Sequence, residues 1–561
     1  MNPNTHYTPT ENGFAISGGA EIFNRILYGS HKNDDKEAKF ATFAGEVPQF
    51  MGAATDWTVY DWCLFGKRGT LFSGLALTPG QRIGGATEDT ESGARWFHNS
   101  EDIVAEFKNG WMEYKLSQMA SHFPDVSVNI EAYPLLPDDG FLVHYRISAE
   151  QRVIFAAGFG GITDYIGRFD HKDDERRCFS SKDCEKNAIV LGRNSACVSH
   201  SNGSSMRIAT SFPSVFEVGS AKALEKLSPA LFLGSKPENA DDTVVKISSI
   251  IEQGQVLDGY VIVIHNTDED TLKKWLELKD PVGYIKQQVY AKHVCINLNT
   301  PEHPLDLTIA PTVIALDASW HRNSFHHGTF AYHSPFLGWR GWYAATELGW
   351  SDRVETVMSE HLNQIVRKAD GEERVWYDGK GEREAGPDAP SPYHQIENST
   401  GFLPYFLGVD MAYYNMQECA FDMMLYHIEW SGNLEIARKY FDEFCMMLDW
   451  EERIFDPDND GLYQNFLNTW ISDGHSYNGA GCAQASAYNY RANMVMAKIA
   501  EKLGKSSDVF TKRAEKIKKA MQEKLWLANN GVIAESIDTM GNCQIHPSPE
   551  LSTTYLAIDC D

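Results

Sequence analysis

Asp473 stands among aromatic and hydrogen-bonding side chains in the stretch NTWISDGHSYNG, residues 468–479. A carboxyl group beside aromatic surface has its charged form disfavoured, so its pKa rises and it can hold a proton at neutral pH. Such a group is suited to general acid catalysis, with Trp470, His475 and Tyr477 as contacts for a sugar ring. The alternative is that Asp473 caps the next turn by accepting hydrogen bonds from backbone N–H groups.

Two tryptophans flank an arginine in HSPFLGWRGWYAATELGW, residues 333–350. The guanidinium of Arg340 can stack on Trp339 or Trp342 and donate hydrogen bonds to sugar hydroxyls. We therefore predict these three residues as a second part of a carbohydrate site. The alternative is that Arg340 bonds the end of a helix.

A long loop, REAGPDAPSPYHQIENSTG, covers residues 383–401 and contains Glu397 near its end. Loops of this length usually carry function or lack fixed structure. We predict that Glu397 contacts the sugar, and the alternative is an ordinary exposed loop residue.

The acidic turn DPDNDG fits the first half of a calcium-binding loop, with Asp456, Asp458 and Asp460 before Gly461. The twelfth position is Leu467 rather than the glutamate that such a loop needs, so a solvated turn is the favoured interpretation and weak calcium binding is the alternative. The ten cysteines form no C-x-x-C pair, and no glycine motif for a dinucleotide or a phosphate is present. We predict neither a metal nor a cofactor.

The formal net charge of −27 repels nucleic acid phosphates and anionic lipid surfaces. No apolar run approaches the roughly 18 residues of a membrane span, and the start MNPNTHYTPTENG has no apolar signal core. We therefore expect a carbohydrate as the partner, with no nucleic acid and no membrane. The expected location is the cytoplasm, or the periplasm or the exterior if a signal peptide has been removed.

The elements that position these residues fall into two classes. Period-two alternation dominates residues 12–265, as in DVSVNIEA (125–132) and FLVHYRI (141–147), and predicts antiparallel strands. Many strands without intervening helical patterns indicate a β-sandwich, which we assign to residues 1–265.

The period changes after residue 265. Residues 266–304 are predicted as a linker of two short helices divided at Pro281, and residues 305–561 as a helical domain. The predicted helices include those near 305–322, 340–368, 408–430, 433–452, 484–503 and 507–526. The last two are joined by a short turn at Gly504 and must be antiparallel. Because PELSTTYLAIDCD stops in a helix-compatible run, we expect an incomplete helical domain.

The run DPDNDGLYQNFLNTWISDGHSYNG, followed by the helix pair at 486–526, resembles the (α/α)6 six-hairpin glycoside hydrolases. It is most similar to family 63, with α-rhamnosidases and trehalases more distant. Residues 299–320 resemble the segment that enters the first barrel helix. Residues 23–50 resemble the start of a bacterial domain group of unknown function. The resemblance implies a β-sandwich, of the supersandwich type, followed by an (α/α)6 toroid.

The resemblance also implies that Asp473 is the general acid of an inverting glycosidase. Family 63 has Glu-Ser-Gly before that aspartate, whereas residues 470–472 are Trp-Ile-Ser here. The family's Trp-Asp pair is Trp339 and Arg340 here. An acidic sugar such as a uronic acid would explain this change, because arginine binds carboxylates bidentately.

An inverting glycosidase needs a second carboxyl group about 6.5–9.5 Å from the acid. Glu397, Glu418 and Glu535 are candidates, but none carries a matching motif. In the enzymes resembled the base is a glutamate late in the barrel, so we expect it beyond Asp561. Two other functions stay open, which are a polysaccharide lyase and a carbohydrate-binding protein without catalysis. A phosphorolytic relative is a subsidiary option.

Overall fold

The structure is a computed structural model. It describes residues 6–10, 14–18, 68–82, 87, 93–100, 102–108, 111–118, 125–135, 138, 140–162, 179–265, 269–293, 296, 298–310, 312–313, 316, 320–321, 324–325, 340–368, 399–403, 414–464, 481–538 and 542–547. The chain divides into two compact units. The first consists of Met1–His321 and Gly328–His333, and the second consists of Arg322–His327 and Ser334–Asp561. The boundaries predicted at residues 265 and 304 stay predictions.

The first unit contains two antiparallel sheets. Its strands are β1 (His6–Pro9), β2 (Phe14–Gly18), β3 (Arg68–Leu77), β4 (Ala94–Trp96), β5 (Asp102–Phe107), β6 (Met112–Gln118), β7 (Val126–Pro134), β8 (Gly140–Ala149), β9 (Val153–Ile162), β10 (Asn187–Leu191), β11 (Ser195–His200), β12 (Ser205–Thr210), β13 (Val215–Ser220), β14 (Thr243–Ile251), β15 (Val256–His265) and β16 (Trp320–His321). One sheet has ten strands in the order β1-β2-β5-β6-β7-β8-β15-β12-β11-β10, and the other has five in the order β13-β14-β9-β3-β4.

The predicted hairpin is confirmed by β7 and β8. Ile130 pairs with Tyr145 and Val128 with Ile147, and all four side chains are buried. The two sheets share one hydrophobic core. In that core the ring of Tyr145 lies 5.1 Å from that of Phe155 on β9.

The helices divide between the two units. The first unit has α1 (Ala221–Lys226), α2 (Pro229–Gly234), α3 (Glu269–Glu277), α4 (Pro281–His293) and α5 (His303–Asp306); the second has α6 (Gly341–Glu347), α7 (Ser351–Leu362), α8 (Tyr414–Ser431), α9 (Leu434–Lys439), α10 (Phe441–Phe455), α11 (Ala483–Lys502) and α12 (Asp508–Lys524). The second unit also has the short strands β17 (Ser324–Phe325), β18 (Gly481–Cys482), β19 (Trp526–Leu527), β20 (Val532–Ile533), β21 (Ser536–Ile537) and β22 (Ile545–His546). None of the helices in the described ranges combines the length and apolarity that a membrane span needs.

Two short helices, α1 and α2, interrupt the region that the sequence predicted as strands alone. The hydroxyl of Ser220 accepts a hydrogen bond from the N–H of Ala223 and so starts α1, and Pro229 begins α2. Both are too short to give a helical period, so the prediction of strands alone was wrong here.

The predicted linker helices, α3 and α4, are separated at Pro281 as expected, and both pack on the sheets of the first unit. The indole N–H of Trp275 donates to Asp138 at 2.7 Å. Leu272 and Ile285 belong to the same hydrophobic core as the strands. These helices therefore add to the core of the first unit.

The predicted helix pair is confirmed by α11 and α12, with Gly504 at a φ of +70° between them. The predicted helix at 340–368 is divided into α6 and α7, since Gly349 takes a φ of +76° that ends a helix. The predicted helix at 433–452 is likewise divided at Tyr440.

Three helices of the second unit run in the same direction. Asp422 of α8 contacts Tyr343 of α6, and Tyr426, one turn further along α8, contacts Glu347, one turn further along α6. In the same way, Asp422 and Glu429 pair with Arg491 and Lys498 of α11. Contacts that advance in step on both partners require parallel helices, so α6, α8 and α11 are parallel.

Candidate functional site

Most of the predicted site residues lie outside the described residues. They are Trp339, Glu397, Trp470, Asp473, His475 and Tyr477. The structure describes Arg340, Trp342 and the residues on both sides of segment 465–480. We call this segment, which carries Asp473, the acid loop.

The residues that flank the acid loop are held together. The N–H of Cys482 donates to the carbonyl of Tyr463 at 2.7 Å, and the N–H of Gln464 donates to the carbonyl of Phe455 at 2.8 Å. A Cβ on Gly481 would lie only 2.7 Å from Cδ1 of Leu462, so the glycine permits this close approach. Tyr463 and Cys482, the described residues on the two sides of this segment, are therefore held next to each other directly before α11.

The turn before the acid loop is closed by its own carboxylates. Asp456 is buried and accepts hydrogen bonds from the N–H groups of Asp460 at 2.9 Å and Gly461 at 3.2 Å. Asp460 in turn accepts from the N–H of Leu462 at 2.7 Å. Burial raises the pKa of Asp456 to about 6, against the lowering effect of Lys516.

Two lysines of α12 neutralise this turn. Nζ of Lys516 lies 2.9 Å from Asp456, and Nζ of Lys524 lies 2.8 Å from Asp460. Oxygens of Asp456, Asp458 and Asp460 lie within 4.8 Å of one another, a grouping that could accept a cation. Ammonium groups already supply positive charge there. The turn is thus an ion-paired, partly buried structure, which corrects its interpretation as merely solvated.

Buried polar side chains lie near the beginnings of α8 and α11. They include Gln417, Glu418, Gln484, Ser486 and Asn489. The amide of Gln417 donates to the carbonyl of Leu403 at 2.7 Å, and the hydroxyl of Ser486 accepts from the N–H of Tyr463 at 2.9 Å. Convergent polar groups of this kind are typical of a site for a polar ligand.

Two of the candidate second carboxylates act on Cys482, the second residue after the acid loop. Burial first, and then the negative charges of Glu418 and Glu535, raise the pKa of the Cys482 thiol to about 12. Both glutamates are buried. Glu418 and Glu535 therefore both lie near Cys482, whereas Glu397 lies outside the described residues.

Asp422 on α8 contacts one residue of α6 and one residue of α11. Its carboxylate accepts a hydrogen bond from the phenol of Tyr343 and lies 3.1 Å from Nε of Arg491. Burial, followed by the nearby Cys419 and Asp422, raises the pKa of Tyr343 well above its ordinary value. A charged pair and a phenol are thereby fixed between α6, α8 and α11.

Arg340 directly precedes α6 and lies near two buried groups of this site. Burial raises the pKa of Cys419 to about 12 and that of Tyr488 well above its usual range, and the charge of Arg340 lowers both. Arg340 thus faces the interior where α8 and α11 meet. Its contact with a sugar stays a prediction.

Trp342 is only 1% exposed. Its indole stacks on the ring of His361 with centroids 5.7 Å apart. One face of the indole is therefore covered by protein. The structure gives Trp342 a packing role, and sugar binding by this side chain stays a prediction.

A second unusual acid lies on α10. Glu451 is 1% exposed, and burial raises its pKa to about 8. Its Oε1 has no hydrogen-bond partner among the described residues. The negative charge of Glu451 also raises the pKa of Tyr463 at the start of the acid loop, after burial and the larger effects of Glu452 and Asp456.

Asp422 and Glu451 were not predicted from the sequence. Both carry a detectable signal there. Asp422 interrupts the apolar run CAFDMML, and Glu451 falls on the apolar stripe of α10 that contains Phe444, Leu448 and Phe455. An acid on the buried face of a helix is a candidate functional group.

Residues 421–545 match the family model described as the bacterial alpha-L-rhamnosidase 6 hairpin glycosidase domain. This range includes the acid loop and both helices of the α11–α12 pair. The predicted relation to six-hairpin glycosidases is thereby confirmed. No curated protein sequence matches the chain.

Solved structures give more distant likenesses. A bacterial glucoamylase complexed with acarbose is 10% identical with a TM-score of 0.48, covering 86% of this chain and 65% of that one. A family GH92 inverting mannosidase from Bacteroides thetaiotaomicron is 12% identical with a TM-score of 0.32, covering 85% and 57%. A GH78 family rhamnosidase of Bacillus sp. GL1 is 10% identical with a TM-score of 0.31, covering 67% and 36%. This chain thus spans less than two thirds of the length of each.

Proposed function

We propose that this chain is a glycoside hydrolase that cleaves a glycosidic bond by an inverting acid–base mechanism. The proposed architecture is an N-terminal β-sandwich followed by an (α/α)6 toroid. The observation that carries the proposal is the match of residues 421–545 to a six-hairpin glycosidase domain. The buried polar groups near the beginnings of α8 and α11 support it.

In this mechanism Asp473 donates its proton to the glycosidic oxygen while a water molecule attacks the anomeric carbon from the opposite side. The sugar is held by the aromatic and polar residues predicted from the sequence. They are Trp339, Arg340, Trp342, Glu397, Trp470, His475 and Tyr477. A uronic acid is the proposed sugar type, because Arg340 offers a bidentate donor for its carboxylate.

Turnover of aryl glycosides and oligosaccharides, including uronate-containing ones, tests the proposal. Asp473→Asn should lower kcat by about 10²–10⁴-fold and should leave ligand binding by calorimetry intact. Asp270→Asn is the matched control, because its carboxyl is 81% exposed on α3. The first product observed by NMR should carry the inverted anomeric configuration.

Three outcomes oppose the proposal. Retained configuration would contradict the inverting mechanism. A rise in ultraviolet absorbance from a new C=C bond would indicate a lyase. Binding without turnover in any form of the protein would indicate a carbohydrate-binding protein.

A further inference from the structure

A tryptophan near the end of α8 faces solvent although it stacks on a neighbouring ring. Trp430 is 60% exposed. The ring of Tyr426, one turn earlier on the same helix, lies 5.8 Å from it at an interplanar angle of 25°. Because Tyr426 covers one face of the indole, the exposed surface of Trp430 is its opposite face. We call this pair of rings the aromatic platform.

Contacts between α6 and α8 hold the aromatic platform in place. The phenol of Tyr426 donates to Glu347 at 2.9 Å, and its ring meets that of Tyr343 edge to face with centroids 5.3 Å apart. Tyr343 donates in turn to the buried Asp422. The ring that supports Trp430 is thus fixed at its hydroxyl and at its edge, so a ligand that stacks there has little protein to order on binding.

The aromatic platform is remote from the residues that flank the acid loop. Glu429, directly before Trp430, pairs with Lys498 of α11 at 3.1 Å. At about 1.5 Å per residue, Lys498 lies about 22 Å along α11 from Ala483. The platform is therefore at the other end of these parallel helices from Cys482, and it includes no residue of the acid loop.

The apolar surface around the aromatic platform is small. Among the described residues of α6, α8 and α11, the other exposed large hydrophobic side chain is Met494, at 37%. An aromatic side chain offers about 150–250 Å², whereas each partner of a stable protein complex buries about 800 Å². The platform is thus too small to hold a second copy of the chain or another folded protein, and it suits a ligand of one or two rings.

The polar groups beside the aromatic platform suit a sugar. One face of a pyranose ring consists of C–H groups, which gain dispersion energy on an aromatic ring. The carboxylates of Glu347 and Glu429, both exposed, can accept hydrogen bonds from its hydroxyls. The same charges repel an acidic sugar, since the ammonium of Lys498 already pairs with Glu429. The chemistry therefore favours a neutral sugar.

We propose that the aromatic platform binds one ring of a neutral oligosaccharide, with the sugar stacked on the open face of Trp430. This binding site goes beyond the proposed function, because it uses none of the residues of the proposed hydrolysis. It gives the chain a second contact for a carbohydrate, about 22 Å along α11 from the start of that helix.

Fluorine NMR of the full chain labelled with 5-fluorotryptophan tests the aromatic platform. Trp430→Phe identifies the signal of Trp430 by its loss. The neutral probes are cellohexaose, mannohexaose and xylohexaose, and the acidic probe is hexagalacturonate. The Trp430 signal should shift in a saturable way with a neutral probe and should stay in place with the acidic one.

Calorimetry with the probe that shifts the signal measures the contribution of the indole. Trp430→Ala should weaken the affinity roughly tenfold. Trp526→Ala is the matched control, because Trp526 is 49% exposed on β19, and it should keep the affinity of the unaltered chain. Thermal unfolding checks that both variants are folded. If Trp430→Ala unfolds, Trp430→Phe supplies the comparison and should weaken the affinity by a smaller factor.

The outcomes that overturn the inference are distinct from those that concern hydrolysis. A Trp430 signal that none of the neutral probes shifts overturns it, as does an equal shift with hexagalacturonate. A dimer that Trp430→Ala dissociates in analytical ultracentrifugation would make the surface an interface between copies, which also overturns it. Absence of turnover defeats only the proposed function, since no measurement here depends on hydrolysis.

Discussion

The N–H of Cys482 donates to the carbonyl of Tyr463 at 2.7 Å, which closes the base of the segment that carries Asp473. The fold therefore fixes where the acid loop begins and ends independently of its own conformation. Burial, and then the negative charges of the nearby Glu418 and Glu535, raise the pKa of the Cys482 thiol at this closure.

Gly481→Ala should loosen that closure. The added Cβ would lie 2.7 Å from Cδ1 and 2.8 Å from Cβ of Leu462, and overpacking of this kind costs about 1–3 kcal/mol. Denaturant unfolding followed by helical circular dichroism measures the cost. Gly234→Ala, where no atom lies within 4 Å of the new Cβ, is the control. Equal unfolding midpoints for both variants would show that the contact does not hold the loop.

Glu451→Gln should remove a pH dependence of stability. The folded pKa of Glu451 is about 8 against an ordinary 4.5. Stability from the neutral carboxyl is therefore fully present below pH 4.5 and is lost as the pH rises through 8. Above that pH the glutamine variant should be the more stable by up to roughly 3–5 kcal/mol, with little difference at pH 4.

Unfolding free energies at a series of pH values test this expectation. Glu515→Gln is the control, because that side chain is exposed on α12. Parallel pH curves for the unaltered chain and Glu451→Gln would mean that Glu451 does not stay neutral in the fold.

The sequence predicted elements whose pattern is local and long. Alternation over β7 and β8 and the stripe of α12 each extend over several residues, so each has a readable period. Gly349 was missed as a helix end because a single glycine inside a helical pattern is often tolerated. The pairing of Cys482, Ser536 and His546 could not be predicted from the sequence, since two-residue strands have no period and their partners are distant in the chain.

Candidate site residues follow the same division. Arg340 was predicted because its aromatic neighbours are adjacent in sequence, and it does lie beside the buried groups of α8 and α11. Asp422 was not predicted, because its partners Tyr343 and Arg491 come from other helices. Contacts between helices depend on packing angles that one sequence does not state.

Lys516→Met should destabilise the turn before the acid loop. The variant leaves the buried carboxylate of Asp456 without its ammonium partner, and we expect a loss of about 1–3 kcal/mol because Lys516 is partly exposed. Lys512→Met is the control, since Lys512 is exposed on the same helix. Adding Asp456→Asn should recover part of the loss, and a double-mutant cycle without coupling would contradict the ion pair.

The same turn predicts the response to calcium. In the unaltered chain the lysines already neutralise Asp456 and Asp460, so excess calcium or a chelator should leave Tm unchanged. A clear rise of Tm with calcium in the unaltered chain would show that the ion displaces the lysines and that the turn is a metal site.

His144→Gln should reduce stability more in mild acid than in alkali. Nδ1 of His144 lies 3.0 Å from Glu131, and Nε2 lies 2.8 Å from Asp258. The hydrogen bond to Glu131, more than any other contact, raises the pKa of His144 above 6.5. The pKa of Glu131 is lowered to about 2, because His144 and Lys286 together outweigh its burial.

Because the folded pKa of His144 is raised, the stability it contributes is fully present below pH 6.5 and is lost as the pH rises through the folded pKa. The difference between the unaltered chain and His144→Gln should be about 1 kcal/mol at pH 5.5 and smaller at pH 9. Urea unfolding followed by β-sheet circular dichroism measures it, with the exposed His303→Gln as the control. A difference that is the same at both pH values would mean that the imidazole is not charged between its two carboxylates.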